Sequence, residues 1–124
     1  MTMASDPEME KSRIHTIVKS LPIGVLVTDV QGQVVLINPA FKRQLGLSED
    51  VETGRDVDQY IPDEGLCRLV LKISRGRHVD VDNIPPYEFL IGNEKFLQAI
   101  VRPVLDEKHE CLGAVITLDD VTAM

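Results

Sequence analysis

Residues 27–41, VTDVQGQVVLINPAF, change direction twice, and these two bends decide the fold. Two apolar, strand-like runs flank residues 29–32, where Gly32 can adopt the positive φ of a tight turn and Asp29 can hydrogen-bond its own backbone. Asn38 and Pro39 then supply a helix cap and a first helical residue directly after the second run. The stretch predicts a β-hairpin that leads straight into a helix. Because both strands are almost continuously apolar, we expect them to lie centrally in a sheet that is covered on both faces.

A helix is predicted before this hairpin. Its apolar side chains recur at i, i+3, i+4 and i+7, which places them on one face of a helix, and Leu21-Pro22 ends it. This amphipathic flanking helix needs a partner surface, either the body of the domain or a second copy of itself. The apolar stripe consists of Ile14, Ile17, Val18 and Leu21.

A longer helix and three strands are predicted to follow the hairpin. The helix begins near Pro62 and ends before Gly76, since a glycine commonly follows the last turn. Pro85-Pro86 then disfavours a central strand, and Gly92-Asn93 is a hairpin signal. The order of elements predicts an α+β domain, with helices over one face of a five-stranded antiparallel sheet.

Composition narrows the function. The chain has 124 residues, a net charge of −7 and a pI of about 4.8, which argues against a nucleic-acid-binding surface, since such a surface needs a basic stripe. It contains no apolar run of the ~18 residues that span a membrane and no secretory signal. We therefore expect a cytoplasmic protein, or the cytoplasmic part of a membrane-bound sensor. For Cys67 and Cys111, burial as small hydrophobic residues is favoured over a disulfide.

The fourth strand is largely apolar on both faces, and Gln98 and Arg102 are the only polar members of the second face. Leu97, Ala99 and Val101 alternate with a second apolar set, so the face that the helices leave open is also expected to be covered. That cover would be the flanking helix, a partner subunit, or both. We predict a homodimer whose surface combines both apolar sets: Ile14, Ile17, Val18, Leu21, Phe96, Ile100 and Val104.

A ligand pocket between the longer helix and the sheet is a second possibility. Its aliphatic members are expected to face Val25 and Val27, and an aliphatic set of this kind more often forms an ordinary core. The candidate residues are Tyr60, Leu66, Arg68, Leu69, Val70, Ile73, Tyr87, Val101 and Arg102. No Ser-His-Asp order with a nucleophile elbow and no phosphate-binding glycine loop is present, and the histidines form no metal motif. We therefore predict no catalytic site and no metal site in this chain.

Two stretches resemble a PAS domain of a bacterial signalling protein. They are LPIGVLVTDVQGQVVLINPAF, residues 21–41, and LGAVITLDDVT, residues 112–122. The resemblance divides the chain into a tail and flanking helix at residues 1–20, a PAS domain at 21–122, and the start of an output linker at 123–124. It implies a pocket that holds a small ligand or is filled by side chains. Asp120 and Thr122 would join the last strand to an output helix.

The resemblance also implies a function. The chain resembles sensor and dimerisation modules that relay a signal to an output domain in a two-component regulator such as a sensor histidine kinase. The output domain would be absent from this chain. A sigma-54-dependent activator and a cyclic-di-GMP enzyme are alternative parents. A small α+β enzyme is the alternative from another class and is ranked last, because nothing in the sequence locates its active site.

Cofactors of the family can be compared with this sequence. Light-sensing relatives form a cysteinyl-flavin adduct in a Gly-Arg-Asn-Cys stretch, whereas this chain has Gly54-Arg55-Asp56-Val57, so an adduct at Val57 is excluded. Haem-binding relatives use a histidine on or near the long helix, and residues 63–75 contain none. The cofactor is unknown from the sequence, and we expect none to be tightly bound.

Overall fold

A computed structural model describes residues 16–76, 83–92 and 94–121. Residues 16–20 are helical, and the chain then forms five strands, two helices and one short 3-10 helix within these ranges. In chain order these are β1 (Gly24–Thr28), β2 (Val34–Ile37), α1 (Pro39–Gln44), the 3-10 helix (Val57–Gln59), α2 (Glu64–Ser74), β3 (Tyr87–Ile91), β4 (Lys95–Leu105) and β5 (Cys111–Asp120).

The five strands form one antiparallel sheet in the order β2-β1-β5-β4-β3. The α+β prediction with five antiparallel strands is therefore confirmed. The prediction that β1 and β2 are both central is wrong for β2, which is an edge strand. A loop covers its outer edge, because the Gly54 N–H donates to the Val34 carbonyl at 2.7 Å and the Val34 N–H donates to the Arg55 carbonyl at 2.8 Å.

The β1–β2 turn has the predicted chemistry. Asp29 Oδ1 accepts hydrogen bonds from the Gln31 and Gln33 N–H groups, at 2.9 and 3.0 Å. Gly32 adopts φ +84°, and its carbonyl accepts from the Val57 N–H at 3.0 Å. The turn is thereby attached to the 3-10 helix.

Both helices begin at side-chain caps. Asn38 Oδ1 accepts from the Phe41 N–H at the start of α1, and Asp63 Oδ2 accepts from the Leu66 N–H at the start of α2. Gly76 follows α2 with φ +71°, the left-handed conformation expected after a helix end. These two predicted helices are confirmed, and of the predicted flanking helix only residues 16–20 lie within the described ranges, where they are helical.

Helix α2 packs across β4 and β5, and α1 packs against β1. The buried face of β1 carries Leu26 and Thr28, so the expectation that Val25 and Val27 face the helices is wrong. In the sheet register Leu26 lies beside the buried Ile116, whereas Val27 lies beside Val115 on the opposite face. A strand that is apolar on both faces carries no periodicity from which its buried face could be assigned.

Several predictions fall on residues outside the described ranges. These are the tail at residues 1–15 with Ile14, the turn residue Asn93, the junction residue Thr122, and residues 123–124.

Candidate functional site

The predicted pocket is occupied by its own side chains. Leu66, Val70, Ile73 and Val101 meet between α2 and the sheet, and each is at most 1% exposed. Leu69 is half-buried at the edge of this cluster. Against them lie further buried residues of the sheet: Leu97, Ala99, Ile116 and Leu118. In this conformation the interior between α2 and the sheet is a packed core.

Tyr60 is also buried, but its hydroxyl bonds to the backbone of a loop. Its hydroxyl donates to the Glu52 carbonyl and accepts from the Arg55 N–H at 3.4 Å. Val57, where a flavin-reactive cysteine would stand in light-sensing relatives, is 1% exposed and belongs to the same core. Tyr60 and Val57 therefore attach the loop of residues 52–56 to the core.

Tyr87 lies at the edge of the sheet and bonds to the start of α2. Its hydroxyl donates to Asp63 Oδ2 at 2.6 Å, and Asp63 also caps α2. The hydrogen bond to Asp63 raises the pKa of the Tyr87 phenol, since ionisation would place two negative charges together. This pair fixes the first turn of α2 to β3.

The two arginines of the predicted pocket lie elsewhere. Arg68 is exposed on α2. Arg102 is exposed on the sheet face opposite the helices, beside Val115, and its Nη1 donates to the Ile84 carbonyl at 3.2 Å. Successive side chains of a strand point to opposite faces, so Arg102 points away from the core because its neighbour Val101 points into it. The structure brings neither guanidinium into the interior.

Both cysteines are free. Cys67 is buried on α2, and its thiol donates to the Ile61 carbonyl at 3.3 Å. Burial raises the pKa of this thiol to about 11, and the nearby carboxylates of Asp58, Asp63 and Glu64 add to the effect. The thiolate is the reactive form of cysteine, so Cys67 is held in its unreactive state.

The sheet face opposite the helices is broadly apolar. Phe96, Ile100 and Val104 from the predicted dimer surface lie on it and are half-buried. Val27 and Val115 continue this face onto β1 and β5. Of the flanking-helix residues, Ile17 is 59% exposed, while Val18 and Leu21 are half-buried. We call the sheet residues of this face the outer face: Val25, Val27, Phe96, Ile100, Val104 and Val115.

Asn38 joins the flanking helix to the core, a contribution that the sequence did not indicate. Its side chain is 1% exposed and makes four hydrogen bonds. Oδ1 accepts from the Val25 and Phe41 N–H groups, at 2.8 and 3.0 Å. Nδ2 donates to the Val18 and Ile23 carbonyls, at 3.1 and 2.9 Å. Of these four bonds, only the helix cap is local enough to be predicted from sequence.

The two ends of the described domain lie side by side. Gly24, the first residue of β1, is paired with Leu118 near the end of β5. The Val121 N–H then donates to the Phe96 carbonyl at 2.9 Å, which holds the chain beside β4 after Asp120. The flanking helix therefore reaches the sheet at the same end at which the predicted output junction leaves it.

The described part of the chain offers no metal site, since no three His, Cys, Asp or Glu side chains there are grouped to hold an ion. Within the same residues, no helix combines the length and the apolar character needed to cross a membrane.

The fold and this arrangement of core and faces define a PAS domain. The PAS fold family matches residues 12–121, and the chain belongs to this family. It is 27% identical over 110 residues to the alginate biosynthesis sensor protein KinB of Pseudomonas aeruginosa, covering 89% of this chain and 18% of KinB. The chain thus spans about a fifth of the length of that relative.

Solved structures agree with the fold. The PAS domain of BvgS from Bordetella pertussis has a TM-score of 0.67 at 17% identity, covering 92% of this chain and 88% of that one. A PAS domain from Colwellia psychrerythraea has a TM-score of 0.63 at 18% identity, covering 94% of this chain and 99% of that one. At these identities the likeness establishes the fold alone, and membership of the PAS family follows from the family match over residues 12–121.

Proposed function

We propose that this PAS domain is a dimerising sensor module that relays a signal to an output domain in a two-component-type regulator. The observation that carries the proposal is the meeting of the flanking helix and the end of β5 at one end of the sheet, through the pairing of Gly24 with Leu118. A change in how two copies pack through this helix would reach the Asp120 junction directly.

The outer face supports the dimer. It carries apolar residues on β1, β4 and β5 beside the exposed Arg102, and the described structure covers it with neither helix α1 nor helix α2, because both lie on the opposite face. Burying apolar surface contributes about 25 cal/mol per Å², which favours covering such a face. The occupant we propose is a second copy, with Ile17, Val18 and Leu21 of the flanking helix extending the contact and Phe96, Ile100 and Val104 at its centre.

The packed interior bears on what is sensed. A flavin or haem would require the core side chains of α2 and the sheet to separate, because Leu66, Val70 and Ile73 fill that space at 0–1% exposure. We infer that signalling does not depend on a tightly bound flavin or haem. A change of packing transmitted by the flanking helix is the input that we favour over a resident cofactor.

The output domain is the remaining part of the proposal. The likeness to KinB, named as a sensor protein, favours a sensor histidine kinase over a sigma-54-dependent activator or a cyclic-di-GMP enzyme. A kinase of this kind would place the domain in the cytoplasm beside its catalytic part. We propose no catalytic group on the PAS domain itself.

Sedimentation equilibrium of the wild type and two matched variants tests the dimer. Ile100→Asp places a charge at the centre of the outer face and should raise the dimer dissociation constant at least ~10-fold, as for a buried hot spot. Val30→Asp, on the exposed hairpin turn, is the control and should sediment like the wild type. A wild type that stays strictly monomeric at high micromolar concentration would remove the dimer from the proposal.

A further inference from the structure

The two edges of the sheet differ in how their backbones are satisfied. The outer edge of β2 is bonded to the loop of residues 54–56, as described above. At the other edge, the described residues make no backbone hydrogen bond to the side of β3 that faces away from β4. An uncovered edge strand is a template for pairing with another extended chain.

The direction of the peptide groups on β3 follows from the ladder. The Phe96 carbonyl of β4 accepts from Val121 and so points toward β5. Peptide groups alternate along a strand, so those of Leu97 point toward β3, where Leu97 is paired with Phe89. The N–H and C=O groups of the next residues, Glu88 and Leu90, therefore point outward. As far as the described residues show, this edge presents two donors and two acceptors at the spacing of an extended strand.

A cavity lies directly beside this edge. It has a volume of about 180 Å³ and is lined by Phe89, Leu90, Ile91 and Gly92 on one side and by Pro62 and Asp63 on the other. Four consecutive residues of β3 and its turn line one wall of the cavity, so the cavity runs along the strand at its edge. A side chain of a paired strand would enter the cavity between β3 and the start of α2.

Several carboxylates lie near the cavity, although the positive charge of Arg68 on α2 also acts on the neighbouring Tyr87 phenol. Asp63 forms one wall, Glu88 lies on β3 and Glu94 lies at the end of the β3–β4 turn. Lys95 is directed elsewhere, since its amine lies 3.5 Å from the Gln44 carbonyl at the end of α1. The carboxylate of Asp63 accepts two hydrogen bonds through Oδ2, from the Leu66 N–H and the Tyr87 hydroxyl. The surroundings favour a basic side chain.

We propose that the outer edge of β3 binds an extended basic peptide segment of a partner protein as a sixth strand. Its backbone pairs with Glu88 and Leu90, and a lysine or arginine lays its aliphatic part against Phe89 and Ile91 with its cation at Asp63. A second copy of this chain is a poorer occupant, because symmetric β3–β3 pairing would bring two acidic rims together. The edge is separate from the outer face, so binding does not depend on the proposed dimer.

The test uses a capped six-residue peptide that alternates valine and lysine, added at millimolar concentration to the ¹⁵N-labelled protein. We expect chemical-shift changes at the Glu88 and Leu90 amides, together with slower hydrogen exchange there. The same peptide with a central proline lacks a strand donor and should bind about fivefold more weakly, the equivalent of one hydrogen bond. Absence of shifts at both amides with the first peptide would overturn the proposal.

Matched variants separate backbone pairing from other binding. Leu90→Ala keeps the outward N–H, whereas Leu90→Pro removes it and leaves the bonds to β4 in place, since proline is tolerated on an edge strand. We expect affinity about fivefold lower for the proline variant than for the alanine variant. If thermal melting shows that both variants are folded and both bind the peptide with equal affinity, strand pairing is contradicted.

Asp63→Asn tests the charge, because asparagine can still cap α2. We expect about twofold weaker binding that approaches the wild type at high salt, where the exposed charge is screened. Unchanged affinity at low salt would exclude Asp63 as the cation partner. The Ile100→Asp variant should bind the peptide like the wild type. The peptide titration therefore tests the edge site independently of the sedimentation experiment that tests the dimer.

Discussion

At the scale of single residues, Asn38 connects more of the fold than any local pattern indicates. A buried amide is stable only when its donors and acceptor are paired, and its two donors and its oxygen all have partners here. The partners belong to the flanking helix, the segment before β1, β1 itself and α1. Asn38 therefore fixes the position of the flanking helix relative to the sheet, which the proposed relay requires.

Substitution of Asn38 should destabilise the domain. Asn38→Ala leaves the Val25 N–H and the Val18 and Ile23 carbonyls without this partner, and we expect a loss of roughly 2–4 kcal/mol in the free energy of unfolding. Asn38→Asp keeps the acceptor but turns a charge toward two carbonyls, so it should cost at least as much near neutral pH. Urea unfolding measures both.

The control for this prediction is Ser48→Ala. Ser48 Oγ accepts from the Asp50 N–H at 3.2 Å on the exposed surface, so its loss should change stability by less than about 0.5 kcal/mol. An Asn38→Ala variant as stable as Ser48→Ala would show that the four bonds do not hold the flanking helix.

At the scale of elements, the pairing of β5 with its neighbours is irregular near its start. The register of β4 with β5 shifts between Val104 and Leu105, and Gly113 adopts φ +149°. A Cβ at Gly113 would overlap the Thr28 carbonyl oxygen of β1. The Ala114 N–H donates to Thr28 Oγ1 at 3.1 Å, which holds β5 against β1 there. Glycine is therefore required here by a close approach of two backbones.

Gly113→Ala should cost roughly 2–4 kcal/mol of unfolding free energy, because the obstructing atom is backbone and cannot turn away. Gly92→Ala is the matched control: Gly92 has φ +62° and open space around its Cβ position, so only the left-handed backbone penalty of about 1–2 kcal/mol applies. Thermal or urea unfolding compares the two. Equal losses would mean that β1 and β5 can separate at Gly113 without cost.

The elements also show which features a sequence can predict. The β1–β2 turn, the start of α1 and the end of α2 depend on neighbouring residues such as Asp29, Gly32 and Gly76, and their local chemistry predicted them correctly. The Asp63 cap of α2 is equally local but was not predicted. The face of β1 and the edge position of β2 depend on strands and loops far along the chain. Alternation predicts a buried face only where polar residues mark the exposed one, and the polar residue of β1, Thr28, lies on the buried face beside Leu26. The pocket could not be predicted for a similar reason, because an aliphatic core and an aliphatic pocket produce the same pattern of apolar residues in the sequence.

At the scale of the whole molecule, the topology explains how a filled core can still belong to a sensor. β1 and β5 are the first and last strands of the chain but neighbours in the sheet, so the two ends of the described domain lie close together. Rearrangement at the flanking helix can reach the last strand through one pair of strands. The interior between α2 and the sheet need not open for such a rearrangement to reach the last strand.

The stability of the whole domain should fall in alkaline solution because of its core. The pKa of Cys67 is about 11 in the folded protein and 9.0 in the reference state, so between these values the unfolded chain loses a proton that the folded chain keeps. The Cys67 contribution is therefore complete below pH 9 and lost as the pH rises to about 11. The advantage of the wild type over Cys67→Ala should shrink by about 1–2 kcal/mol across this interval, measured by urea unfolding at each pH. Tyr87→Phe is the control, because it keeps Cys67 and should retain that part of the decline. A constant difference between wild type and Cys67→Ala from pH 8 to 11 would show that water reaches the thiol and that α2 is packed less tightly than its buried face indicates.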